Sequence, residues 1–553
     1  MFIHRVGSNE VLSEINKHKI QQMKKLYSLL IAMLVISNTS MAQKEGLASI
    51  NKNDLKAYMT FFASDELEGR ETGTRTNDAA ALYIKSNLMR IGLEPISETG
   101  DYFQMIPLFS NFLNPEGTHM SINDENGETI FTTDSIVYLM PPSSSLNVTG
   151  NVVFAGYGFM DTITGYNDFE EINLNDQIVL YMTGSPTLAT QEESSSIFNN
   201  EIEYSKFGML FRENPKAIFY VYNPNSKFKS AFDSGLAEFI PGGRPGTQSI
   251  FMKDQRPFSP PLPIVFITQH SADMLLKSNG YNLKQLEDKI LSGGNPVSVE
   301  LKGITASLGA RIETSDFHSP NVIGIIEGSD PVLKNECIVY SAHFDHVGIN
   351  SKGEVFNGAD DNASGSMGLL EIAEAYMNLK KKPLRTVVFA WVNAEEKGLF
   401  GSSHYVNNPV IPMENTLVNI NLDMIGRSKL PSDTIKFLGY DLDLTQSGEI
   451  LVYTAHESTE LMRMLNSSAE TAEIKVIDMG EDMELGSSDH VNFTAKGVPA
   501  FLFNSGIHSD LHGVGDDIDR IDFDKMEKVS KLAFLLGYKA ANQRKRIMLD
   551  GQE

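Results

Sequence analysis

Short apolar runs alternate with segments of helical periodicity from about residue 300 to the C-terminus. Residues 386–392 are almost wholly apolar, β-branched and aromatic, which is typical of a strand buried on both faces of a parallel sheet. Residues 365–379 instead repeat their apolar positions at helical spacing. This alternation predicts an α/β fold built on a mostly parallel mixed sheet with helices on both faces. The predicted strands of this sheet are residues 322–326, 338–342, 386–392, 418–422 and 500–503.

The N-terminal and middle parts of the chain have different patterns. Residues 53–95 predict two helices, the first with Asp54 as its N-cap and the second over residues 79–91, ended by Gly92. Turn-rich stretches then separate short apolar runs, which predict strands over residues 150–158, 178–181, 217–222 and 264–267. We therefore predict a strand-rich domain over residues 126–300, inserted into a larger domain formed by residues 43–125 and 301–553.

The first 42 residues have the pattern of an export signal. Residues 23–42 combine a basic start, an apolar stretch and the small-x-small sequence Ser40-Met41-Ala42, which predicts a cleavable signal peptide. Residues 1–22 are polar and predict a non-native upstream extension. The expected mature protein is periplasmic or secreted, and it keeps no stable membrane span after the signal is cleaved.

Charge and cysteine content narrow the range of functions. The chain has 71 acidic and 46 basic residues and a formal net charge of −25, which argues against binding to nucleic acid. Its single cysteine, Cys337, lies in an apolar run and predicts a buried small side chain that forms no intramolecular disulfide.

Acidic and histidine residues follow five of the apolar runs. Carboxyl ends of parallel strands share one edge of a sheet, where open α/β sheets bind their ligands. Taken singly, Asp360 could be a helix N-cap, Asp423 a turn residue and His343 an interior histidine. Five such segments at one edge are much harder to explain if every one of these residues has only a structural role. The segments are residues 341–346, 357–365, 393–396, 421–426 and 508–512.

The adjacent pair Glu395-Glu396 makes a metal the first hypothesis, because burying two like charges side by side is costly without a cation. The five segments supply two His, two Asp and one Glu, a nitrogen and oxygen set that suits zinc, with manganese or cobalt possible. With one bridging carboxylate such a set holds two ions, which activate water and polarise a carbonyl. The other glutamate is then free to act as a general base.

The ordered motifs of these segments resemble the co-catalytic zinc aminopeptidase family typified by bacterial leucyl aminopeptidases. The motifs are His-x-Asp, Gly-Ala-Asp-Asp-Asn-Ala-Ser-Gly, Glu-Glu, Asn-Leu-Asp-Met-Ile-Gly and His-x-Asp-x-His. Residues 67–74 (Leu-Glu-Gly-Arg-Glu-Thr-Gly-Thr) resemble exported bacterial members. Residues 154–158 and 176–179 resemble the protease-associated domain that such members carry. The resemblance covers nearly all of the mature chain.

The resemblance implies a pair of zinc ions and assigns their ligands. His343 and Asp423 would bind one ion, Glu396 and His512 the other, and Asp360 would bridge them. His508 competes with His512 for the last position, and the motif alignment favours His512.

The resemblance also assigns the supporting residues. Glu395 would be the general base, Asp345 would orient His343, and Asp361 would lie at the position of a cis peptide in the family. Leu511 occupies a position where many relatives have a tyrosine that stabilises the oxyanion. His346 and His490 are candidates for lining or supporting the site.

The implied function is an exported aminopeptidase that acts on peptides with a free N-terminus. A carboxypeptidase or a glutaminyl cyclase-like enzyme on the same scaffold is the alternative. A carboxypeptidase requires a basic cluster for the substrate carboxylate, and Arg427 is its suggestive candidate. A non-catalytic, receptor-like protein is a further alternative, which the complete ligand set and Glu395 disfavour.

Overall fold

The structure, a computed structural model, describes residues 44–551 except residues 171, 187–202, 204–205, 207, 209–212, 239, 241, 254–261, 351, 431–443, 455–457 and 481–487. The predicted signal peptide (23–42) and upstream extension (1–22) lie outside the described residues. The helices are α1 Lys52–Phe62, α2 Arg75–Ile91, α3 Gln269–Lys277, α4 Leu283–Gly293, α5 Gly365–Met377, α6 Phe400–Asn407, α7 Thr459–Ala472, α8 His490–Thr494 and α9 Phe523–Asn542. The strands are β1 Phe103–Asp124, β2 Gly127–Ile130, β3 Ile136–Tyr138, β4 Leu146–Ala155, β5 Met160–Asp161, β6 Tyr166–Asn167, β7 Ile178–Met182, β8 Ala217–Val221, β9 Gln248–Met252, β10 Ile264–Ile267, β11 Ser298–Ile326, β12 Cys337–His343, β13 Thr386–Val392, β14 Thr416–Leu422, β15 Glu449–Thr454, β16 Lys475–Gly480 and β17 Ala500–Asn504.

The C-terminal strands form a mixed sheet that is covered on both faces. Strands β13, β12, β14 and β17 lie side by side and parallel, whereas β11 and β15 flank them in antiparallel orientation. Along β12, Ile338 and Tyr340 belong to the core cluster that includes α1, α2, α5 and α9. Cys337 and Val339 belong to a second cluster, which contains Tyr405 of α6. The predicted α/β fold with helices on both faces is confirmed, and Cys337 is buried.

Two long strands, β1 and β11, connect this sheet to a second hydrophobic core. They pair antiparallel from Phe103↔Val322 to Asn123↔Thr305. The C-terminal part of β11 pairs with β13, and its N-terminal part pairs with β4. Strands β4, β7, β8 and β10 pair in parallel, and α3 and α4 contribute to the core that covers them. Because β1 and β11 run through both parts, the boundaries at residues 126 and 300 stay a prediction.

Several sequence-based boundaries differ from the structure. The first helix is capped by Asn51, whose Oδ1 accepts hydrogen bonds from the backbone N–H groups of Asn53 and Asp54, both at 3.1 Å. The prediction of Asp54 as the N-cap was therefore wrong by three residues. Gly92 does end the second helix, with a positive φ of 86° that favours glycine. Within the described ranges, no helix is long and apolar enough to cross a membrane.

A buried carboxyl on α5 makes the stability of the fold depend on pH. Glu371 is 3% exposed, and its Oε1 accepts a hydrogen bond from Asn51 N at 3.0 Å. Burial raises the pKa of Glu371 to about 8, despite that hydrogen bond. The pKa of Glu371 in the folded chain lies above its value of about 4.3 in the unfolded chain. The contribution of this group to stability is therefore complete below the unfolded pKa of about 4.3. The contribution is lost as the pH rises through the folded pKa.

We expect the free energy of unfolding of Glu371→Gln at pH 9 to exceed that of the wild type by about 1–3 kcal/mol. The measurement is denaturant unfolding, in which the variant should have the higher midpoint. Below about pH 4 the two should approach the same stability, because the amide keeps the acceptor for Asn51 N and the wild-type carboxyl is then largely neutral in both the folded and the unfolded chain. Glu374→Gln on the same helix is the matched control. Burial acts to raise the pKa of Glu374, but hydrogen bonds from Arg90 and Tyr58 outweigh it, so that the pKa is lowered. The effect of Glu374→Gln at pH 9 should have the opposite sign. Equal midpoints for Glu371→Gln and wild type at pH 9 would contradict this account.

Candidate metal centre

The parallel strands end at one edge of the sheet and bring the predicted residues together there. His343 is the last residue of β12 and pairs in register with Val392 of β13. Glu395 and Glu396 follow β13, and Asp423 directly follows β14. The loop after β17 carries His508 and His512. The register of the strands therefore places four segments that are distant in sequence at one edge.

Two groups of donor atoms share one carboxylate. One group is His343, Asp361 and Asp423, and the other is His346, Asp361, Glu396 and His512. In each group, one donor atom per residue lies within 4.8 Å of the others. Such a pair of groups is suited to two ions with a common bridging ligand.

Asp361 offers one oxygen to each group. Its Oδ1 lies 3.3 Å from His343 Nε2, which is also 3.3 Å from Asp423 Oδ1. Its Oδ2 lies 3.2 Å from His512 Nε2. The same His512 nitrogen lies 3.1 Å from Glu396 Oε2. This is the arrangement expected of a bridging carboxylate.

The sequence-based choice of Asp360 as the shared carboxylate differs from the structure by one residue. Asp360 Oδ1 accepts hydrogen bonds from Gly426 N at 2.6 Å and Ser364 Oγ at 3.1 Å, and Oδ2 lies 3.5 Å from His508 Nε2. The cis peptide likewise joins Asp361 to Asn362. The backbone is irregular at these two residues, so the sequence of two adjacent acids did not reveal which one faces the edge.

His512, and not His508, belongs to the donor groups, as the motif alignment favoured. His508 is buried beside Asp360 instead. His490 is also buried outside both groups, and burial lowers its pKa to about 4. His346, predicted to line or support the site, lies within the second donor group.

Asp345 supports the site differently from the expectation. Its carboxylate lies 3.9 Å from His343 Nδ1, and that nitrogen is instead 3.2 Å from the backbone carbonyl of Asp345. The carboxylate accepts hydrogen bonds from Glu395 N at 3.1 Å, Glu396 N at 3.4 Å and Thr72 Oγ1 at 3.0 Å. Asp345 thus fixes the turn that presents the two glutamates.

Arg70 is a buried residue near the site whose contacts the sequence motif did not reveal. It is fully buried, and its guanidinium donates to the backbone carbonyls of Phe62, Phe344, Asn357 and Gly358 at 2.7–3.0 Å. Burial lowers its pKa to about 10, against the opposing charges of Asp361 and other acids. The loops after β12 and before α5 are therefore joined by one buried cation. In the sequence, Arg70 belongs to the Leu-Glu-Gly-Arg run that resembles exported family members. That run does not show which backbone carbonyls the guanidinium contacts.

The two adjacent glutamates have opposite electrostatic environments. Burial and the charges of Glu396 and Asp489 raise the pKa of Glu395 well above its usual range, although His343 opposes this. Burial also acts on Glu396, but His512 and His346 lower its pKa to about 2. Glu396 is thus held as a carboxylate, the form that binds a metal, whereas Glu395 has the greater affinity for a proton.

Strained backbone surrounds the donor groups. Ala394, Met424 and His512 have positive φ values of 59°, 57° and 50°. Each of these values costs of order 1 kcal/mol for a residue with a side chain and persists only where the surroundings enforce it. All three residues adjoin or belong to the donor groups, so the strain is located where side-chain direction matters most.

The residues present fit zinc. The donors are imidazole nitrogens and carboxylate oxygens. In the part of the chain that the structure describes, no lysine or arginine forms an ion pair with Asp361, Asp423, Glu395 or Glu396. Several buried carboxylates without such partners require another cation.

A cavity of about 570 Å³ opens beside the second donor group. Glu396 and His512 lie on its wall, together with Val347, Ile349 and Phe356. Phe112 of β1 also lines the cavity, together with Ile240 and Arg244 from the region between β1 and β11. A cluster of Ile250 and Met252 of β9 with Ala394 and Phe400 packs this region against the turn that carries the glutamates.

Comparison with known proteins identifies the catalytic scaffold. Residues 321–536 match the profile of peptidase family M28. The chain carries a peptidase family M28 domain. The predicted resemblance is thereby confirmed for the segment that contains all the donor residues.

Sequence relatives of this chain include aminopeptidases. It is 30% identical over 273 residues to Aminopeptidase YwaD of Bacillus subtilis (strain 168), covering 46% of this chain and 54% of that protein. It is 28% identical over 245 residues to a probable leucine aminopeptidase of Arthroderma benhamiae, covering 42% of this chain and 61% of that protein. The chain thus spans between about half and two-thirds of the length of these curated relatives.

Solved structures share the fold over nearly the whole length. The aminopeptidase from Aneurinibacillus sp. strain AM-1 superposes with a TM-score of 0.55 at 19% identity, covering 92% of this chain and 98% of that chain. BSAP, a zinc aminopeptidase from Bacillus subtilis, superposes with a TM-score of 0.52 at 18% identity, covering 91% and 99%. At these identities the likeness establishes the fold alone, for the residues that match the family and for the region that precedes them.

We expect Asp361→Asn to bind fewer than two zinc ions per chain, because it weakens the carboxylate that both donor groups share. The measurement is zinc content by mass spectrometry after gel filtration. Asp360→Asn is the matched control one residue away, since Asn keeps an Oδ1 acceptor for Gly426 N, and it should keep two ions. Loss of zinc from Asp360→Asn but not from Asp361→Asn would restore the sequence-based assignment.

Proposed function

We propose that this M28 protein is an exported zinc aminopeptidase that removes N-terminal residues from peptides. The observation that carries the proposal is the shared Asp361, which offers one oxygen to each of two donor groups. The proposed ligands are His343 and Asp423 for one ion, Glu396 and His512 for the other, and Asp361 for both. Export rests on the signal peptide predicted over residues 23–42.

These residues would hold two zinc ions, which would supply Lewis-acid chemistry to the scissile carbonyl and to a water molecule. Glu395 is not needed as a ligand and has the raised proton affinity that a general base requires. It accepts the proton of the attacking water and delivers it to the nitrogen of the leaving amine. Asp345 holds the backbone N–H of Glu395, which keeps this carboxyl beside the donor groups.

The excess of acidic groups at the site favours a substrate with a free α-amine. Asp489 is buried close enough to affect Glu395, and burial raises the pKa of Asp489 to about 7. A cationic ammonium group is attracted to such a cluster, whereas an acetylated N-terminus carries no charge and is not. This selection restricts cleavage to the first peptide bond.

The inserted region would act as a protease-associated domain that forms one wall of the substrate cavity. Phe112 and Ile240 on this wall, and Ile349 and Phe356 opposite, offer apolar surface for substrate side chains. The packing of β9 against Ala394 supports a fixed wall, because it ties this region to the turn that carries Glu395.

A carboxypeptidase is the second candidate, and Arg244 on the cavity wall is the observation that favours it. Arg427, the residue suggested by the sequence, does not support the carboxypeptidase hypothesis. It is 3% exposed, donates to Asp510 Oδ2 at 2.7 Å and lies 3.6 Å from Asp516 Oδ1. Its charge is thus directed at the loop that carries His512, away from a substrate carboxylate.

We expect the purified mature chain to cleave aminoacyl-p-nitroanilides and to leave their N-acetylated versions intact. Cleavage should stop with a chelator and return with zinc. Cleavage of acetylated dipeptides at their C-terminal residue, with no action on the free-amine anilides, would favour the carboxypeptidase instead.

We expect Glu395→Gln to lower kcat by about 10²–10⁴-fold while zinc content stays at the wild-type level, because the amide cannot accept the proton. Glu396→Gln is the comparison, since it removes a ligand and should lose zinc together with activity. Near-normal kcat in Glu395→Gln would show that another group is the base.

A further inference from the structure

His346 lies inside the second donor group, although the ligand set implied by the motifs does not include it. It is fully buried, and its Nδ1 lies 2.8 Å from Glu396 Oε1 and 3.6 Å from Asp361 Oδ2. The ring of His346 meets that of His512 edge to face, with centroids 5.6 Å apart. Nδ1 of His346 therefore faces the carboxylates of Glu396 and Asp361, which would surround the ion.

The fold leaves the ring little freedom to turn away. A Cβ atom added to Gly358 would lie 2.5 Å from both Cγ and Cδ2 of His346, so the backbone at Gly358 packs directly on the imidazole. Gly358 has a positive φ of 54°, and its carbonyl accepts a hydrogen bond from Arg70 at 3.0 Å. The buried arginine thus holds the surface on which His346 rests.

The spacing of the donor atoms suits direct coordination. Four ligands at zinc–nitrogen and zinc–oxygen distances near 2.1 Å in a tetrahedron lie about 3.4 Å apart. The contacts of His512 Nε2 with Asp361 and Glu396 are 3.2 and 3.1 Å, and that of His346 Nδ1 with Asp361 is 3.6 Å. The other donor group contains three residues, so the two groups are unequal.

We propose that His346 is a fourth protein ligand, through Nδ1, of the ion bound by Asp361, Glu396 and His512. The proposal rests on the two-ion site of the proposed function and extends it. It makes this ion the more tightly held of the two, because one more imidazole holds it. On dilution or chelation, the ion at His343 and Asp423 should leave first, and the centre should pass through a one-metal form.

The competing role for His346 is a hydrogen bond from Nδ1–H to Glu396, which would position that ligand from outside the coordination sphere. Asparagine separates the two roles. Its side-chain amide can donate from near the position of Nδ1, but it is a poor zinc ligand. His346→Asn should therefore resemble His346→Ala if the histidine is a ligand, and should resemble the wild type if it only donates a hydrogen bond.

The test is a competitive zinc titration of the mature chain with a fluorescent chelator, for the wild type, His346→Asn and His346→Ala. The exposed His318 provides the control variant His318→Asn. We expect two separate binding steps for the wild type and His318→Asn. In both His346 variants the tighter step should weaken at least tenfold.

A second readout is the visible absorption of the cobalt-substituted chain, which reports the coordination number and geometry of the ion. The spectrum of the first cobalt equivalent should change equally in His346→Asn and His346→Ala, and equal thermal midpoints of the metal-free variants and the metal-free wild type are the check on folding. Wild-type affinity and spectrum in His346→Asn would overturn the proposal while leaving the two-ion site intact. A wild-type chain that binds no metal at all would instead refute the proposed function.

Discussion

Mutual repulsion among buried carboxylates is the constraint on which the rest of this structure depends. Asp345, Asp360, Asp361 and Asp423 are at most 7% exposed at one edge of the sheet. Glu395 and Glu396 lie beside them. Separate devices offset this charge: backbone N–H groups face Asp345, the buried guanidinium of Arg70 lies below the loops, and imidazoles surround Asp361. The negative charge that remains is the physical basis for proposing metal ions at this edge.

Arg70 and Thr72 show why the N-terminal segment belongs to the site despite its distance in sequence. Thr72 Oγ1 donates to Asp345 and lies 3.1 Å from Asn393 Oδ1. Asn393 in turn donates to Asn77 Oδ1 at 2.8 Å, and it directly precedes the turn that carries the glutamates. Residues 70–77 therefore form a polar layer beneath that turn. The donor groups rest on contacts between parts of the chain that lie about 270–320 residues apart.

The sequence predicted the central strands well because burial on both faces produces continuous apolar runs, as in residues 386–392, where predicted and observed bounds agree. It did not predict β1, because the run Asn114-Pro115-Glu116-Gly117 has the composition of a turn, whereas in the structure it lies at a register shift within the strand. The choice between Asp360 and Asp361 failed for a related reason. Both acids are buried there, and only the local backbone directs one of them to the shared position.

The basic side chains near the centre are held by partners outside the donor groups. Arg70 is engaged by four backbone carbonyls, Arg427 by Asp510, and Lys397 by Glu71 at 2.8 Å. None of these charges is directed at the donor groups as an ion-pair partner. The potential there stays negative until ions bind, and the acids outside the two groups, such as Asp489, remain to attract an ammonium group. In the proposed aminopeptidase, this charge imbalance would favour both the binding of metal ions and a substrate with a free N-terminus over a blocked one.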